Sequence, residues 1–198
     1  GAQYSSTALS MVGAATFIDS LYAVKVLCYD EGKRTLPELT ALLESDYAGE
    51  QSLRQYIINR IPHHGSGNAE MDRFSGQLLR DLSGVSGQTN GRGGRYYPAF
   101  YPHNMFRYLG YRTGATPDGR LAHTPVADGV GPTSGYDVSG PTASCNSVAK
   151  LDHAIASNGT LFNMKMHPTA MAGQKGLESF IDLIRGYFDQ QGMHMQFN

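Results

Sequence analysis

A stretch of about thirty residues between Tyr111 and Pro141 most constrains how this chain can fold. It has little periodicity, and glycine, proline, aspartate and threonine dominate it, which is typical of turns rather than of helices or strands. A loop of this length inside a compact domain is unusual and tends to be functional or to belong to something larger. Within it, Asp118 and Arg120 could pair with each other or brace a buried loop.

The segments on either side of this loop show alternating helical and strand patterns. Thr35 can cap a helix, Pro37 is tolerated in its first turn, and Glu38 completes a capping box with Thr35. Helices that alternate with short strands indicate an α/β fold. Apolar spacing predicts helices at about 11–29, 36–43, 50–60, 68–82, 144–156 and 176–188, and strands at about 95–101, 160–166 and 193–198.

Composition and charge argue against several classes of function. The formal net charge is -1 and no long basic run is present, so binding to nucleic acid or to a membrane surface is not expected. No stretch approaches the roughly 18 apolar residues that cross a bilayer, and residues 1–7 do not resemble a signal peptide. The two cysteines do not make a disulfide framework, which favours a cytoplasmic protein. The last strand pattern is still running at Asn198, so we expect this chain to be a fragment.

Histidines and cysteines are the first residues to test for chemistry. No two histidines have the i, i+4 spacing of a helical zinc motif, so we expect no metal site, with a metal hydrolase kept as an alternative. Cys28 falls on the apolar side of the first predicted helix and is expected to pack there. Cys145 follows a loop-to-helix junction, where a thiol can be reactive, but no accompanying motif supports that role and a structural one is favoured. The seven histidines are His63, His64, His103, His123, His153, His167 and His194.

Short motifs follow one another along almost the whole chain. The upstream motifs are Gly13-Ala14-Ala15-Thr16 with Asp19-Ser20-Leu21, then Leu53-Arg54-Gln55, and Arg92-Gly93-Gly94. The downstream motifs are Gly114 to Arg120 (GATPDGR), Ala127-Asp128-Gly129, Gly140 to Ala143, Ser147 to His153, Asn158 to Asn163 and Gly192 to Asn198. In this order they resemble the signature of glycyl radical enzymes of the pyruvate formate-lyase-like superfamily. They are most similar to its branch of dehydratases and carbon–nitrogen or carbon–oxygen lyases, such as glycerol dehydratase and choline trimethylamine-lyase.

This resemblance implies a fold and a domain organisation. The family fold is a ten-stranded α/β barrel made of two five-stranded halves, and residues 1–198 would be a truncated second half, forming one barrel domain. The catalytic cysteine belongs to a Gly-Cys-Val-Glu-like motif that would precede Gly1. The radical glycine and its domain, with an Arg-Val-x-Gly-Tyr-like motif, would follow Asn198. We therefore expect no catalytic residue within this chain, and no activity from the chain alone.

The resemblance also implies a chemistry and partners for the whole protein. A glycyl radical, installed by a separate activase that uses S-adenosylmethionine and an iron–sulfur cluster, would oxidise a cysteine to a thiyl. The thiyl would abstract hydrogen from a small polar substrate, which then eliminates water, an amine or another group. The expected partners are this substrate, the activase and a second copy in a homodimer, in the cytoplasm and in anaerobic metabolism, with no cofactor bound to the chain itself.

Residues at strand ends and in neighbouring loops are the candidates for lining the substrate cavity. Packing within the barrel wall is the alternative role for each of them. For the whole chain, the main alternative is a non-catalytic accessory or decayed barrel module, and formate acetyltransferase proper is less favoured. The candidates are Tyr101, Thr142, Ala143, Ser144, His167, Pro168, Thr169 and Ala170.

Overall fold

The computed structural model describes residues 7–89, 91, 94–101 and 104–198, so residues 1–6, Asn90, Arg92, Gly93, Pro102 and His103 lie outside the described residues. No helix in the described ranges is long and apolar enough to cross a membrane. The strands are β1 (Thr7–Ser10), β2 (Tyr96–Ala99), β3 (Leu161–Met164) and β4 (His194–Phe197). The helices are α1 (Ala14–Val24), α2 (Leu36–Glu44), α3 (Gln51–Arg60), α4 (Ala69–Ser86), α5 (Met105–Tyr111), α6 (Pro141–Ala149) and α7 (Gly173–Asp189).

Side-chain caps begin helices α2 and α4, and the cap of α2 is the one that the sequence predicts. The Thr35 hydroxyl accepts from the Glu38 N–H at 3.4 Å, and the Thr35 N–H donates to Glu38 Oε2 at 2.7 Å, which confirms the capping box of α2. Asn68 begins α4, because its Oδ1 accepts from two backbone N–H groups of the first turn. Helix α1 continues into one π-helical turn, Lys25–Asp30, so the first predicted helix is confirmed with a different final turn.

Three elements differ from the sequence prediction. The helix predicted over 144–156 is wrong at both ends, since α6 begins at Pro141, which is suited to a first turn, and ends at Ala149. Asp152 then accepts from the Ala154 N–H at 3.2 Å and begins a separate 3₁₀ turn, His153–Ile155. The sequence analysis did not predict β1 or α5. These elements have only four and seven residues, too few for a periodic pattern to be distinctive.

The four strands form two parallel two-stranded sheets, β1-β2 and β3-β4, which one isolated bridge joins into a wall. Strand β1 pairs with β2, and β3 pairs with β4, both in parallel. A parallel bridge between Phe100 and Thr160 joins the two pairs, with the Phe100 N–H donating to the Gly159 carbonyl at 2.9 Å. A twisted parallel wall with helices along the same chain confirms the α/β prediction.

Helix α7 covers one face of this wall at β3 and β4. Phe162 of β3 packs on Tyr187 of α7 with ring centroids 5.6 Å apart, and Phe197 of β4 packs edge-on against Phe180 at 4.7 Å. Phe162 and Tyr187 are fully buried in the apolar core. Because strand side chains alternate between faces, the intervening residues of β3 and β4 point to the opposite, open side.

The long loop between α5 and α6 is packed into the structure. Asp118 is 0% exposed and Val130 is 1% exposed, so the loop contributes to the core rather than lying on the surface. The Val130 N–H donates to the Leu161 carbonyl at 2.9 Å, which attaches the loop to β3. The turn-rich composition therefore encodes an ordered irregular segment whose backbone groups are satisfied individually.

Candidate functional site

A cavity of about 1140 Å³ lies on the open face of the strand wall. Asn163 and Gln196, which line it, are register partners on β3 and β4. Lys165 and Asn198, one alternation further along each strand, line it as well. In the sequence, two polar residues alternate with three apolar ones: Asn163 and Lys165 with Phe162, Met164 and Met166. The polar residues therefore face the cavity and the apolar residues face the core.

The long loop supplies a second side of the cavity. Asp128 accepts a hydrogen bond at Oδ2 from Nδ2 of Asn163 at 2.8 Å, which joins the loop to the polar row of β3. Arg120, His123 and Tyr136 of the loop also line the cavity, and α3 contributes Arg54. The wall is thus polar, with amide, phenol and guanidinium groups that can hydrogen-bond a small hydroxylated molecule.

Arg120 braces the loop from inside, which decides between the two roles left open for it. Its guanidinium donates to the carbonyls of Thr124 at 2.7 Å and Leu121 at 3.1 Å, and also to the carbonyl of Gly114. Its Nε donates to the Thr116 hydroxyl at 3.1 Å. Among the residues the structure describes, no ion pair joins the Asp118 and Arg120 side chains; the Arg120 backbone N–H donates to Asp118 Oδ1 at 3.3 Å instead.

The turn between α2 and α3 holds the same loop from outside. Tyr47 is 0% exposed and donates from its hydroxyl to the Thr116 carbonyl at 2.7 Å. Asp46 Oδ1 accepts from the Ala122 N–H at 2.7 Å, and Arg54 Nε donates to the Gly119 carbonyl at 2.8 Å. Both Asp46 and Tyr47 have positive φ, 52° and 61°, a conformation that non-glycine residues keep only where surrounding contacts enforce it.

Asp118 is a buried carboxyl group with an altered acidity. Burial raises its pKa to about 6 from the ordinary 3.8, and the nearby Asp19 carboxylate acts in the same direction. Hydrogen bonds from Thr116, at 2.5 Å, and from the Arg120 N–H partly oppose this rise. The folded state therefore retains a proton on Asp118 at pH values where an unfolded chain has lost it.

This shift predicts a pH dependence of stability. An acid whose folded pKa is raised contributes stability that is complete below the unfolded pKa, about 4, and is lost as pH rises through about 6. Asp118→Asn should remove this contribution, a slope of up to about 1.4 kcal/mol per pH unit, while keeping an oxygen acceptor for Thr116. Thermal unfolding of the two proteins between about pH 4 and about pH 7 measures the difference. Equal slopes for wild type and variant would contradict the assignment.

Tyr101 is a predicted site residue that adjoins the polar face. It follows β2, and its ring lies 6.4 Å from the ring of His194, the first residue of β4. His194 and Gln196 are two residues apart in one strand and share a face, so Tyr101 adjoins the cavity-lining row. It packs over Gly159, where a Cβ atom would overlap the tyrosine hydroxyl.

The other predicted site residues lie elsewhere. Ser144 is buried and donates to the Gly65 carbonyl at 3.2 Å, and Ala143 lies against Gly67. Thr142 lines a separate groove of about 300 Å³ between α6 and α7. Residues 167–170 form an exposed turn after β3, in which His167 Nδ1 lies 2.7 Å from the Thr169 hydroxyl. All eight candidates are described, none of them is among the residues that line the large cavity, and their contact with a substrate stays a prediction.

The buried histidines are engaged in structural hydrogen bonds. His64 Nε2 lies 2.8 Å from the Val130 carbonyl, and His153 Nε2 lies 2.9 Å from the Val148 carbonyl. Within the ranges that the structure describes, no group of three or more His, Cys, Asp or Glu side chains could hold a metal ion. Cys145 lies inside α6, and burial raises the pKa of its thiol to about 11, in keeping with a structural role.

Sequence reasoning missed most of the cavity wall. Asn163 and Gln196 could have been found from strand alternation, because each is flanked by apolar residues that face the core. Arg54 and Tyr136 carried no such signal. They lie 82 residues apart in the sequence, and only the packing of the long loop on α3 brings them to one cavity.

Solved structures of known enzymes share this architecture over the whole chain. A structure concerned with 1,2-propanediol dehydration in Roseburia inulinivorans matches 100% of this chain at 55% identity with a TM-score of 0.94, and 26% of its own chain is covered. The glycerol-bound B12-independent glycerol dehydratase of Clostridium butyricum matches 100% at 47% identity, also with a TM-score of 0.94, with 25% of its chain covered. The fold prediction, a truncated piece of a glycyl radical enzyme barrel, is confirmed by these matches.

A curated relative matches the whole chain by sequence as well. Trans-4-hydroxy-L-proline dehydratase of Clostridioides difficile is 34% identical over 199 aligned residues, which cover 100% of this chain and 25% of the relative. The chain therefore spans about a quarter of the length of the relatives it matches.

Two family models match in succession. The model described as "Glycine radical" matches residues 126–198 and thus begins within the chain, whereas the sequence analysis placed the glycyl radical domain beyond Asn198. The position of the radical glycine itself stays a prediction. The model described as "Pyruvate formate lyase-like" matches residues 1–110. Since that match covers more than half of the 198 residues, and the resemblance found in the sequence is thereby confirmed, this chain belongs to the pyruvate formate lyase-like family.

Proposed function

We propose that the protein to which this chain belongs is a glycyl radical lyase that removes water from a small vicinal diol. The observation that carries the proposal is the 55% identity, over the whole chain, with the structure concerned with 1,2-propanediol dehydration. Identity with the glycerol dehydratase is 47%, and identity with the hydroxyproline dehydratase falls to 34%. This order favours an open-chain diol over a cyclic amino acid as the substrate.

The polar face of the wall supports the same substrate class. Asn163, Gln196 and Asn198 present neutral amide groups, each able both to donate and to accept a hydrogen bond. Adjacent hydroxyl groups of a diol also both donate and accept, so amide groups can satisfy them without a charged partner. We place the phenol of Tyr101 at the reacting end of this row, and keep the other seven candidate positions as proposed cavity neighbours.

The proposed reaction balances without an external oxidant or reductant. A hydrogen atom leaves one carbinol carbon, the neighbouring hydroxyl leaves with a proton as water, and the hydrogen atom returns to the carbon that lost the hydroxyl, giving an aldehyde. The glycyl radical supplies the hydrogen-abstracting chemistry when it is installed. The residues of this chain would bind and orient the diol and limit the access of water.

The remaining assignments for the whole protein follow from this proposal. A radical-activating enzyme that uses S-adenosylmethionine and an iron–sulfur cluster would be its partner, and the working form would be a cytoplasmic homodimer. Residues 1–198 would form one barrel segment, inactive by itself, because neither Cys28 nor Cys145 matches the expected cysteine motif.

The test uses the whole protein, co-expressed with its activating enzyme under anaerobic conditions. Electron paramagnetic resonance first establishes whether the glycyl radical forms. Turnover is then compared on 1,2-propanediol, glycerol and trans-4-hydroxy-L-proline, with the aldehyde measured for the first two and substrate loss measured for the third. We expect propanal from 1,2-propanediol at the highest kcat/KM. A radical without turnover of either diol would overturn the diol assignment, and failure to form a radical with a competent activase would favour the non-catalytic module.

Tyr101→Phe tests the proposed cavity wall in the same assay. Removing a hydroxyl that contacts the substrate should lower kcat/KM by roughly 10- to 100-fold, while the radical signal is unchanged. The matched control is Tyr29→Phe, because Tyr29 is 69% exposed and lies on the last turn of the first helix. Equal kcat/KM values for the two variants would show that Tyr101 only packs in the wall.

A further inference from the structure

His63 and Asp19 form a buried pair beneath the long loop. The His63 and Asp19 side chains are 6% and 0% exposed, and His63 Nδ1 lies 3.4 Å from Asp19 Oδ2. Neither of these two atoms has a hydrogen-bond partner among the described residues, so they face only each other. The second carboxylate oxygen, Oδ1, accepts from the His64 N–H at 2.7 Å.

The contacts of the other ring nitrogen of His63, Nε2, determine which ring nitrogens carry a hydrogen. Nε2 lies 3.2 Å from both the Ile57 and Ile58 carbonyls, which can only accept, so Nε2 carries a hydrogen. A neutral ring would then direct the lone pair of Nδ1 at the Asp19 carboxylate. Two buried acceptors that face each other without a hydrogen between them are unfavourable, because burial removes their water partners and nothing replaces them. A ring protonated on both nitrogens removes this conflict.

The pair is connected to the cavity through Tyr136. The His63 and Tyr136 rings lie with their centroids 4.3 Å apart, and the Tyr136 hydroxyl donates to the Asp118 carbonyl at 3.0 Å. Tyr136 lines the cavity, whereas His63 and Asp19 do not. His63 therefore lies where α1, the segment after α3 and the long loop meet.

We propose that His63, held as a buried imidazolium by Asp19, is a positioning residue that fixes Tyr136 and the adjoining loop against the scaffold. A protonated ring binds the carboxylate of α1 on one side and presents a cation to the face of Tyr136 on the other. Loss of the proton leaves an unpaired buried carboxylate and weakens both contacts. The cavity wall formed by residues 118–136 would then open more often. This inference concerns the loop itself and holds whatever the substrate of the protein is.

The surrounding charges determine the direction of the pH effect. Burial acts to lower the pKa of His63, but the hydrogen bond and charge of Asp19, together with the charge of Asp118, outweigh it and raise the pKa above its ordinary value. Tyr136 and Tyr47 also face this region, and burial raises the pKa of each hydroxyl, so neither ionises near neutral pH. Arg54 and Arg120 also line this region, and burial lowers the pKa of the Arg120 guanidinium. The stabilising contribution of His63 is therefore complete below its unfolded pKa, about 6.5, and is lost as pH rises through the higher folded pKa.

Hydrogen exchange of the whole protein, read by mass spectrometry, tests this proposal without requiring activity. Exchange of peptides within 116–137 is compared at about pH 6 and about pH 9 after correction for the intrinsic pH dependence of exchange. In the wild type, corrected exchange should rise by up to about tenfold for each pH unit between the unfolded and folded pKa values of His63. Peptides from α7, which is remote from the pair, should not change and serve as the internal control.

Two substitutions separate charge from packing. His63→Lys keeps a cation at both pH values and should protect the loop from hydrogen exchange at both. His63→Gln keeps a polar group without charge, and the loop should exchange faster at both pH values. Asp19→Asn retains an acceptor for the His64 N–H but removes the anion, and should behave like His63→Gln. Equal loop exchange in the wild type at the two pH values, or a His63→Lys protein that matches His63→Gln, would overturn the proposal.

Discussion

Replacing Gly129 by alanine is expected to destabilise the structure by about 4 kcal/mol, the sum of backbone strain and overpacking. Gly129 has φ +65°, in the left-handed region that costs other residues about 1–3 kcal/mol. A Cβ atom there would overlap the backbone carbonyl oxygen of Leu161. That oxygen accepts from the Val130 N–H at 2.9 Å, so relieving the overlap also breaks the bond between the loop and β3. The temperature of thermal unfolding of the whole protein measures the loss.

Substitution of a second glycine, Gly32, separates backbone strain from overpacking. Gly32 has a similar φ, +60°, but a Cβ atom there would meet no atom within 4 Å. Gly32→Ala therefore carries the strain without the overlap and should cost about 1–2 kcal/mol. If Gly129→Ala and Gly32→Ala lowered stability equally, the close approach of the loop to β3 would not be the reason that position 129 requires glycine.

Arg120→Met is expected to cost about 3–5 kcal/mol, because three hydrogen bonds from its charged guanidinium to backbone carbonyls are lost, each worth about 1 kcal/mol or more. The methionine preserves much of the volume but leaves the carbonyls of Gly114, Leu121 and Thr124 without their buried donor. Arg120→Lys should recover only part of the loss, because one ammonium group cannot reach acceptors arranged around a planar guanidinium. The free energy of local opening, from hydrogen exchange of residues 112–126, measures both variants.

The control for this prediction is an arginine of the same region with an exposed side chain. Arg112 is exposed, and its guanidinium donates to the Tyr108 hydroxyl at 2.7 Å. Arg112→Met should change stability by about 0.5 kcal/mol or less, as for other surface substitutions. An Arg120→Met protein as stable as Arg112→Met would show that these carbonyls find other donors, and that the loop does not depend on Arg120.

Local interactions made several elements predictable. The capping box of Thr35 and Glu38 and the apolar stripe of α7 involve residues a few positions apart, so the sequence contains the whole interaction. The boundary of α6 was predicted wrongly because the competing side-chain cap of Asp152 divides an apolar pattern that looks continuous. Strand β1 was not predicted, since its stability comes from pairing with β2, nearly ninety residues away.

The candidate site likewise combines features that the sequence determined with features that only the tertiary structure decided. The sequence by itself determined the polar row of β3, because alternation with apolar residues assigns Asn163 and Lys165 to one face, and its ordered motifs determined the family. Only the tertiary structure decided that the long loop is buried, that Arg120 braces it, and that Asp19, His63 and Tyr136 meet. Asp19 and His63 lie 44 positions apart and His63 and Tyr136 lie 73 apart, and no periodicity records a contact whose partners lie on different elements. Only the packing of the folded chain specifies these contacts, because a buried polar group hydrogen-bonds to a partner that the fold places beside it.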